Sequence, residues 1–201
     1  MFYETAANAH GLAHDPFKAI VSPRPIGWIG TRGAGGILNL APYSFFNAIS
    51  DKPKLVMFSS SGHKHSVRNI EETGVFTCSF VGRGLMEQMN MTSLTAPYEE
   101  SEFELAGLTP QQANLVDAPF VAEALAVLEC RMTEVMRPRD VDGTLSESWV
   151  VFGQVVGIHI KEEAIRDGRF DMAAARPIGR MGYMDYCDAG DVFEMMRPQR
   201  R

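Results

Sequence analysis

The chain has few cysteines and lacks the patterns by which cysteines usually act together. Only three occur in 201 residues, Cys78, Cys130 and Cys187, and they are far apart in the sequence. They form no CxxC pair and no zinc-binding spacing, which disfavours a disulfide framework and a zinc site. Isolated cysteines in odd number are typical of a chain that is kept reduced, so we expect a cytoplasmic protein.

Long apolar runs and clusters of positive charge are also missing. No stretch reaches the roughly 18 apolar residues of a membrane span, and the start, MFYETAANAHGLAHD, lacks the features of a signal peptide. The net charge is −6, and basic residues cluster only in the short C-terminal tail. Nucleic acid and anionic membrane both require clustered cations, so neither is expected as a partner.

Familiar catalytic and nucleotide-binding motifs are absent as well. The glycines between residues 30 and 36 form neither GxGxxG nor a P-loop. The sequence contains no serine-nucleophile elbow, no Cys–His motif and no HExxH zinc motif. His10 and His14 are four residues apart, but no carboxylate or thiolate partner is suggested nearby. We therefore nominate no catalytic side chain and no metal site.

The stretch from Val21 to Ser50 is the most informative part of the chain. The run Pro25 to Thr31 predicts a strand, and the glycine-rich Arg32 to Gly36 predicts a reversal. A second extended run, Ile37 to Ile49, is interrupted by polar residues and by Pro42. A proline forbids one ladder hydrogen bond, so this strand lies at an edge, contains a bulge, or reserves backbone for a ligand. We favour the last interpretation.

A strand, a serine-rich turn and a helix follow in that order. Lys54 to Ser59 predicts a buried strand, and His63 to Glu72 predicts a helix with a serine N-cap that ends before Gly74. A helix N-terminus offers unpaired N–H groups and the positive end of a dipole, which together bind anions. Lys64 is unfavourable there unless an anion is bound. The pattern predicts a phosphate site, with a solvated helix start as the alternative.

The remainder of the chain adds strands and short connections. Val75–Val81, Ala122–Thr133 and Ser148–Ile160 predict strands, Arg83–Met91 predicts a short helix, and Thr92–Leu108 predicts a surface loop. Frequent turns and few helices predict a mainly β chain that folds as an antiparallel β-barrel.

The chain shows no convincing domain boundary. We expect a single domain over residues 1–201, with an N-terminal arm at 1–19 and a frayed tail at 187–201. Arg24 lies between two prolines in this domain, and we expect it to pair with a carboxylate, with a phosphate as the alternative partner.

Four runs taken in order, RPIGWIGT, NLAPYSFFNAIS, SSSGHKHSVRNI and TGVFTCSF, resemble the flavin reductase-like, FMN-binding split-barrel family. No single run is specific, but the ordered set is. The resemblance implies an antiparallel split β-barrel with a few short helices, an FMN cofactor and a homodimer.

The resemblance also implies which residues hold FMN. Relatives commonly show Lys-Asp-Thr where this chain has Lys64-His65-Ser66, so a histidine replaces an acid beside the phosphate. Arg180 and Tyr186 match late family positions whose role stays open. The residues implied for the flavin are Thr31, Asn39, Ala41, Pro42, Tyr43 and Ser44, and those implied for the phosphate are Ser59, Ser60, Lys64 and Ser66.

The implied reaction is hydride transfer from NADH or NADPH to FMN. The cofactor carries this chemistry, so the protein needs to supply only position and electrostatics. Two alternatives remain. One is an FMN-binding electron carrier that passes electrons to a redox protein partner, and the other is a non-catalytic barrel that binds a different phosphorylated ligand.

Overall fold

A computed structural model describes residues 1–198 and shows a chain built mainly from antiparallel β-strands. The strands are β1 (Arg24–Pro25), β2 (Gly27–Arg32), β3 (Leu38–Tyr43), β4 (Phe46–Asp51), β5 (Lys54–Ser61), β6 (Val75–Ser79), β7 (Pro110–Gln112), β8 (Pro119–Val121), β9 (Ala126–Met136), β10 (Ser148–Ile160), β11 (Ile165–Arg166), β12 (Arg169–Phe170), β13 (Ile178–Arg180) and β14 (Tyr186–Asp188). The helices are α1 (Phe17–Ile20), α2 (His65–Thr73), α3 (Met86–Met91), α4 (Glu102–Leu105) and α5 (Met172–Ala175), with 3₁₀ turns at Arg83–Leu85 and Glu162–Ala164.

Seven strands form one antiparallel sheet in the order β3-β2-β6-β9-β10-β5-β4. Strands β3 and β4 follow each other in the chain, separated only by Ser44 and Phe45, yet they occupy opposite edges of this sheet. The sheet therefore curls until its two edges approach each other. The prediction of a mainly β, antiparallel barrel is confirmed. The single extended run that was expected over 37–49 is instead divided into the two strands β3 and β4.

Strand β2 is buried on both of its faces. Trp28 and Ile29 are both fully buried, and successive side chains of a strand point to opposite faces. Trp28 packs in a cluster that includes Phe103, whereas Ile29 packs in a second cluster with Phe58 and Phe76. The central strand thus joins two hydrophobic cores, one on each side of the sheet.

Gly30 serves internal packing rather than a ligand. A β-carbon at this position would collide with the carbonyl oxygen of Pro119 and with the hydroxyl of Thr77. The Thr77 hydroxyl donates to that same carbonyl oxygen at 2.5 Å. The small size of Gly30 therefore lets β2 approach β8.

The proline of β3 is explained by the position of the strand at an edge of the sheet. The backbone N–H of Leu40 points away from β2 and donates to Oε2 of Glu102 at 2.9 Å. Pro42 is two residues further on, so its nitrogen faces the same outer side. The ladder with β2 still runs from Leu38 to Tyr43. The sequence left three explanations for Pro42, namely an edge strand, a bulge, or backbone that is reserved for a ligand. The edge position accounts for Pro42, and the reservation of backbone for a ligand stays a prediction.

Helix α2 confirms the predicted helix, with a different start. It runs from His65 to Thr73 and ends at Gly74, which has φ +75°. Lys64 is the N-cap residue, its backbone is extended, and no side chain caps the helix. The serine N-cap prediction is wrong, because strand β5 extends through Ser61 and takes up the serines.

Two other predicted segments are more ordered than expected. The loop predicted over 92–108 contains helix α4, and β14 includes the first two residues of the tail predicted over 187–201 because it pairs with β13. Residues 199–201 of that tail lie outside the described residues. No helix within 1–198 combines the length and the apolar character of a membrane span.

Glu129 is a buried carboxylate on β9 that holds the neighbouring loop. It accepts hydrogen bonds from the backbone N–H groups of Asn114 and Leu115, at 2.8 and 2.6 Å, and it contacts Nε2 of His159 at 2.5 Å. Burial acts to raise its pKa, but the hydrogen bonds from Asn114, His159 and Leu115 prevail. The pKa of Glu129 therefore lies below its ordinary value of 4.5.

Replacing Glu129 with glutamine should lower the free energy of unfolding at neutral pH by about 2–4 kcal/mol, because hydrogen bonds to a charged group contribute about 1.5–3 kcal/mol each. The pKa is depressed in the folded state, so this stability is present above pH 4.5 and is lost as the pH falls through the folded pKa. Denaturant unfolding from neutral pH to below 4.5 should show a steeper loss for the wild type than for Glu129→Gln. The exposed Glu134→Gln on the same strand is the matched control, and equal acid slopes for wild type and Glu129→Gln would contradict the assignment.

Candidate functional site

A cavity of about 510 Å³ lies between the edge of β3, the first turn of α2 and the loop at 92–96. We call it the helix cavity. Because no side chain caps α2, the backbone N–H groups of its first turn have no partner from a cap. The side chains of Lys64 and Ser66 line the cavity at that point. The predicted site residues that line it are Asn39, Ala41, Pro42, Tyr43, Lys64 and Ser66.

A buried network of polar side chains supports the wall of the helix cavity. The amide of Asn39 donates to the hydroxyl of Ser66 at 3.0 Å and to that of Thr31 at 3.4 Å. The amide of Asn69 also donates to Thr31, at 3.0 Å, and the hydroxyl of Tyr98 donates to Asn69 at 3.0 Å. Thr31 is fully buried, and it lines neither the helix cavity nor the second, adjoining cavity that is described below. Thr31 therefore positions Asn39 from behind the wall.

Glu102 is the main residue of the helix cavity that the sequence interpretation missed. It is only 5% exposed, it lines the cavity, and it accepts the hydrogen bond from Leu40 N–H. Burial raises the pKa of Glu102, while that hydrogen bond and the nearby His65 act in the opposite direction. The Ser101-x-x-Glu104 pattern is a helix-start signal that could have located α4. It carries no information on where that helix packs.

A second cavity, of about 290 Å³, adjoins the first. We call it the arginine cavity. It shares Pro42, Tyr43 and Lys64 with the helix cavity, so the two lie side by side. Of the other predicted residues, Ser44 and Ser59 line it. The remaining lining residues, which the sequence did not assign to a site, are Lys18, Arg24, Phe45, Ser61, Arg180 and Tyr183.

Ser60 lies away from both cavities although its neighbours Ser59 and Ser61 line the second one. Alternate residues of a strand face opposite sides, which separates Ser60 from the other two. The Ser60 hydroxyl donates to the carbonyl oxygen of Gly62 at 2.9 Å and stabilises the turn before α2.

Burial raises the pKa of Tyr43, although hydrogen bonds with Ser66 and Ser60 act in the opposite direction.

Among residues 1–198, Arg24 pairs with no carboxylate, so that expectation is wrong. Its guanidinium donates to the carbonyl oxygens of Lys18, Val21 and Met181. Lys18 belongs to the N-terminal arm, Val21 lies between α1 and β1, and Met181 lies in the turn after β13. The arm is thereby fixed against the barrel at this point.

A third cavity, of about 420 Å³, has a different character. Its wall is largely apolar, and residues such as Ile26, Phe46, Val81 and Ile178 line it. Arg24 is the single cation in its lining, and the start of α5 at Met172, which also lines it, is already capped by the side chain of Asp171. This chemistry does not fit a phosphate, whereas the donor set of the two adjoining cavities does. Within 1–198, no group of three or more His, Cys, Asp or Glu residues could hold a metal ion.

Comparison with known proteins identifies relatives of this chain. The sequence model of the flavin reductase like domain matches residues 21–175, which include the edge strand β3 and helix α2. An uncharacterized protein of Aquifex aeolicus is 37% identical over 177 residues, covering 85% of this chain and 86% of that protein.

Solved structures share the fold over almost the whole chain. Nitrilotriacetate monooxygenase component B from Bacillus cereus is 28% identical with a TM-score of 0.85, covering 97% of this chain and 98% of that one. The 2-nitrobenzoate 2-nitroreductase of Pseudomonas fluorescens is 25% identical with a TM-score of 0.85, covering 98% and 96%. A split barrel domain protein of Shewanella frigidimarina is 25% identical with a TM-score of 0.81, covering 98% and 94%. The split-barrel prediction is confirmed.

Replacing Glu102 with glutamine should flatten part of the pH dependence of stability. Burial raises the folded pKa of Glu102 above 4.5, so the stability tied to its protonated form is complete below pH 4.5 and is lost as the pH rises through the folded pKa. Glutamine keeps an acceptor for Leu40 N–H without this loss. Denaturant unfolding from pH 4.5 upwards should show a smaller decline for Glu102→Gln than for the wild type, with the exposed Glu104→Gln as the matched control. Parallel declines for wild type and Glu102→Gln would show that Glu102 ionises as freely in the folded chain as in the unfolded one.

Proposed function

The chain belongs to the flavin reductase-like domain family, and on that premise we propose that it is an NAD(P)H-dependent FMN oxidoreductase. The observation that carries the proposal is the uncapped start of α2, which faces a cavity that continues along the outer edge of β3. An anion cradle and a long polar edge side by side are what FMN requires. The relatives with the names monooxygenase component B and nitroreductase support the oxidoreductase class.

The phosphate of FMN is assigned to the α2 end of the helix cavity. The first turn of α2 contains no acidic residue, so the positive end of the helix dipole is not neutralised locally. Lys64 contributes a positive charge and Ser66 a hydroxyl, and both line the cavity. Ser59 offers a further hydroxyl from the neighbouring cavity. Ser60 has a supporting role, because its hydroxyl is bonded to Gly62.

The ring and ribityl chain are assigned to the outer edge of β3. Asn39, Ala41, Pro42 and Tyr43 line the helix cavity along that edge, and Ser44 continues into the arginine cavity. The amide and carbonyl groups of this edge can bind the polar rim of a flavin, and Ala41 leaves room for a flat ring. Bound FMN supplies the redox chemistry, so the chain binds and orients it without a catalytic acid, base or nucleophile.

The buried thiols do not support a rival redox centre. Burial raises the pKa of Cys78 to about 12 and also raises that of Cys130. The thiolate is the reactive form of cysteine, and a thiol with so high a pKa is protonated at neutral pH. Dithiol chemistry at Cys78 and Cys130 is therefore disfavoured, which leaves the flavin as the electron carrier of the proposal.

The proposal extends to assembly and location. We propose a single domain over 1–201 that forms a homodimer in the cytoplasm. Large apolar side chains are exposed at Phe45 and Ile49 on one edge and at Phe193, Met195 and Met196 near the end of the described chain. A second copy could cover such surface. Sedimentation should therefore give twice the 22.2 kDa mass of one chain, and a monomer at micromolar concentration would contradict the dimer.

Steady-state kinetics with FMN tests the proposed activity. The protein should oxidise NADH or NADPH when FMN is present, which is followed by the loss of reduced-nicotinamide absorbance. A protein that stays yellow after excess FMN is removed, but turns over only with an added redox protein, is an electron carrier instead. A protein that does not bind FMN in an absorbance or fluorescence titration is the non-catalytic barrel.

Removing the two phosphate ligands should weaken FMN binding without unfolding the protein. The double variant Lys64→Ala with Ser66→Ala loses two hydrogen bonds to a charged group, so the binding free energy should fall by about 2–4 kcal/mol. Fluorescence titration of FMN measures this loss. Lys52→Ala, which removes an exposed lysine from the turn before β5, is the matched control and should bind as the wild type does. Equal affinities for wild type and the double variant would remove the phosphate assignment.

A further inference from the structure

The arginine cavity has an unusual balance of charge. Its lining includes four cations, Lys18, Arg24, Lys64 and Arg180, and no carboxylate. Within residues 1–198 none of these four side chains forms an ion pair. Lys64 is shared with the helix cavity, where the proposed flavin phosphate accounts for it. The other three positive charges therefore need a separate explanation.

Arg24 and Arg180 are brought together by the sheet itself. They are direct cross-strand partners on β1 and β13, and like charges in that relation destabilise a sheet. Burial lowers the pKa of Arg24, and the charge of Arg180 lowers it further. The fold thus tolerates a repulsive pair at the wall of a cavity, and a bound anion would relieve the repulsion.

The hydrogen bonds of Arg24 do not fully satisfy it. The residue is 7% exposed, and its two terminal nitrogens donate to the carbonyl oxygens described above. Its Nε is buried and has no hydrogen-bond partner within residues 1–198. Buried polar groups are nearly always bonded in folded proteins. The carbonyl contacts of Arg24 thus leave its guanidinium incompletely bonded and its positive charge without a carboxylate partner among residues 1–198.

Arg180 lines the cavity and keeps donors that the described residues leave unbonded. Its Nη2 donates to the carbonyl oxygen of Tyr183 at 2.6 Å, and its guanidinium lies 4.4 Å from the ring centroid of Tyr186. These contacts fix the plane of the guanidinium, while its Nε and Nη1 make no hydrogen bond to the described residues. A guanidinium held in this way can form paired hydrogen bonds with a carboxylate or a phosphate.

The rest of the wall indicates the kind of molecule that carries the anion. Phe45, Tyr43, Tyr183 and Pro42 supply apolar and aromatic surface. At about 290 Å³ the cavity suits a compact group rather than a whole dinucleotide. FMN is assigned to the neighbouring helix cavity and to Ser44 and Ser59, which line the arginine cavity, so this group lies next to the cofactor.

We propose that the arginine cavity is the subsite for the anionic group of the second substrate, an organic carboxylate or phosphate held by Arg180 and Lys18 beside the flavin, with Arg24 adding positive charge to the cavity wall. This inference deepens the proposed function and rests on it for the assignment of FMN to the neighbouring helix cavity. It assigns Arg180 to substrate binding, a role that the sequence left open. Carboxylates and phosphates are both anions that cationic side chains bind by charge-assisted hydrogen bonds, and separate arms of the experiment distinguish the two.

Titration calorimetry of benzoate, a compact aromatic carboxylate, into FMN-loaded protein tests the carboxylate arm. Arg180→Gln should weaken benzoate binding by about 10-fold or more, because a charge-assisted hydrogen bond is lost. Lys18→Gln should weaken it by about 2–5-fold, since its side chain is exposed and screened by salt. Arg131→Gln, an exposed arginine on β9, is the matched control and should leave benzoate binding unchanged. Neutral benzamide should be insensitive to Arg180→Gln.

The phosphate arm compares the KM of NADH and NADPH in wild type and in Arg180→Gln. A rise in KM with unchanged benzoate binding assigns the anion to the dinucleotide, and weaker benzoate binding assigns it to a carboxylate. If neither the KM of the dinucleotides nor the affinity for benzoate changes in Arg180→Gln, the proposal is overturned. Lys18 is an exposed residue of α1, so Lys18→Gln is expected to fold. If Arg180→Gln does not fold, the same two measurements are made on Lys18→Gln.

Two measurements separate this inference from the proposed function. If Arg180→Gln lowers FMN affinity as much as benzoate affinity, the cofactor itself fills the arginine cavity and the second-substrate subsite is overturned while the proposed function stands. If wild-type protein does not bind FMN, the proposed function fails. The benzoate titration of the protein without FMN then decides on the anion subsite, and an absence of binding overturns it.

Discussion

The unpaired outer edge of β3 is the constraint on which the rest of the site depends. An exposed edge is a row of unsatisfied backbone groups, which proteins usually cover or break. Here Glu102 covers Leu40, and Pro42 removes the next outward N–H. The carbonyl groups further along remain next to the start of α2. A sheet that curls without closing thus leaves a polar groove between its own edge and a helix N-terminus.

Charge is distributed unevenly along this groove. The helix cavity at one end has the uncapped helix start, Lys64 lines both cavities, and the arginine cavity at the other end adds Arg24 and Arg180. Glu102 is the acid that faces the helix cavity, and burial raises its pKa, so its negative charge is disfavoured. The groove therefore favours anions at both ends. A cofactor with a phosphate tail and a substrate with an anionic group would use the two ends separately.

Most of the local structure could be predicted from the sequence, because its signals are local. The glycine-rich reversal before Ile37, the strand into the serine-rich turn, and the helix stopped by Gly74 all lie in the order expected. Asn39, Lys64 and Ser66 line one cavity, and their contacts with FMN stay a prediction. Thr31, Ser60 and Gly30 show the weakness of such reasoning. Each lies in an implied run, yet each faces inward, because strand alternation and close packing decide the side on which a residue lies.

The sequence by itself determined the class of fold and the family, and it predicts an anion site at the corner before α2. Only the tertiary structure decided which side chains complete the site. Glu102 comes from a segment expected to be a loop, and Lys18 and Arg180 come from opposite ends of the chain. Pairing of β1 with β13 places Arg24 beside Arg180, and the hydrogen bond from Arg24 to the carbonyl oxygen of Lys18 brings Lys18 to the same cavity wall. Contacts between residues so far apart in sequence depend on how the sheet curls, and no local pattern encodes that curvature.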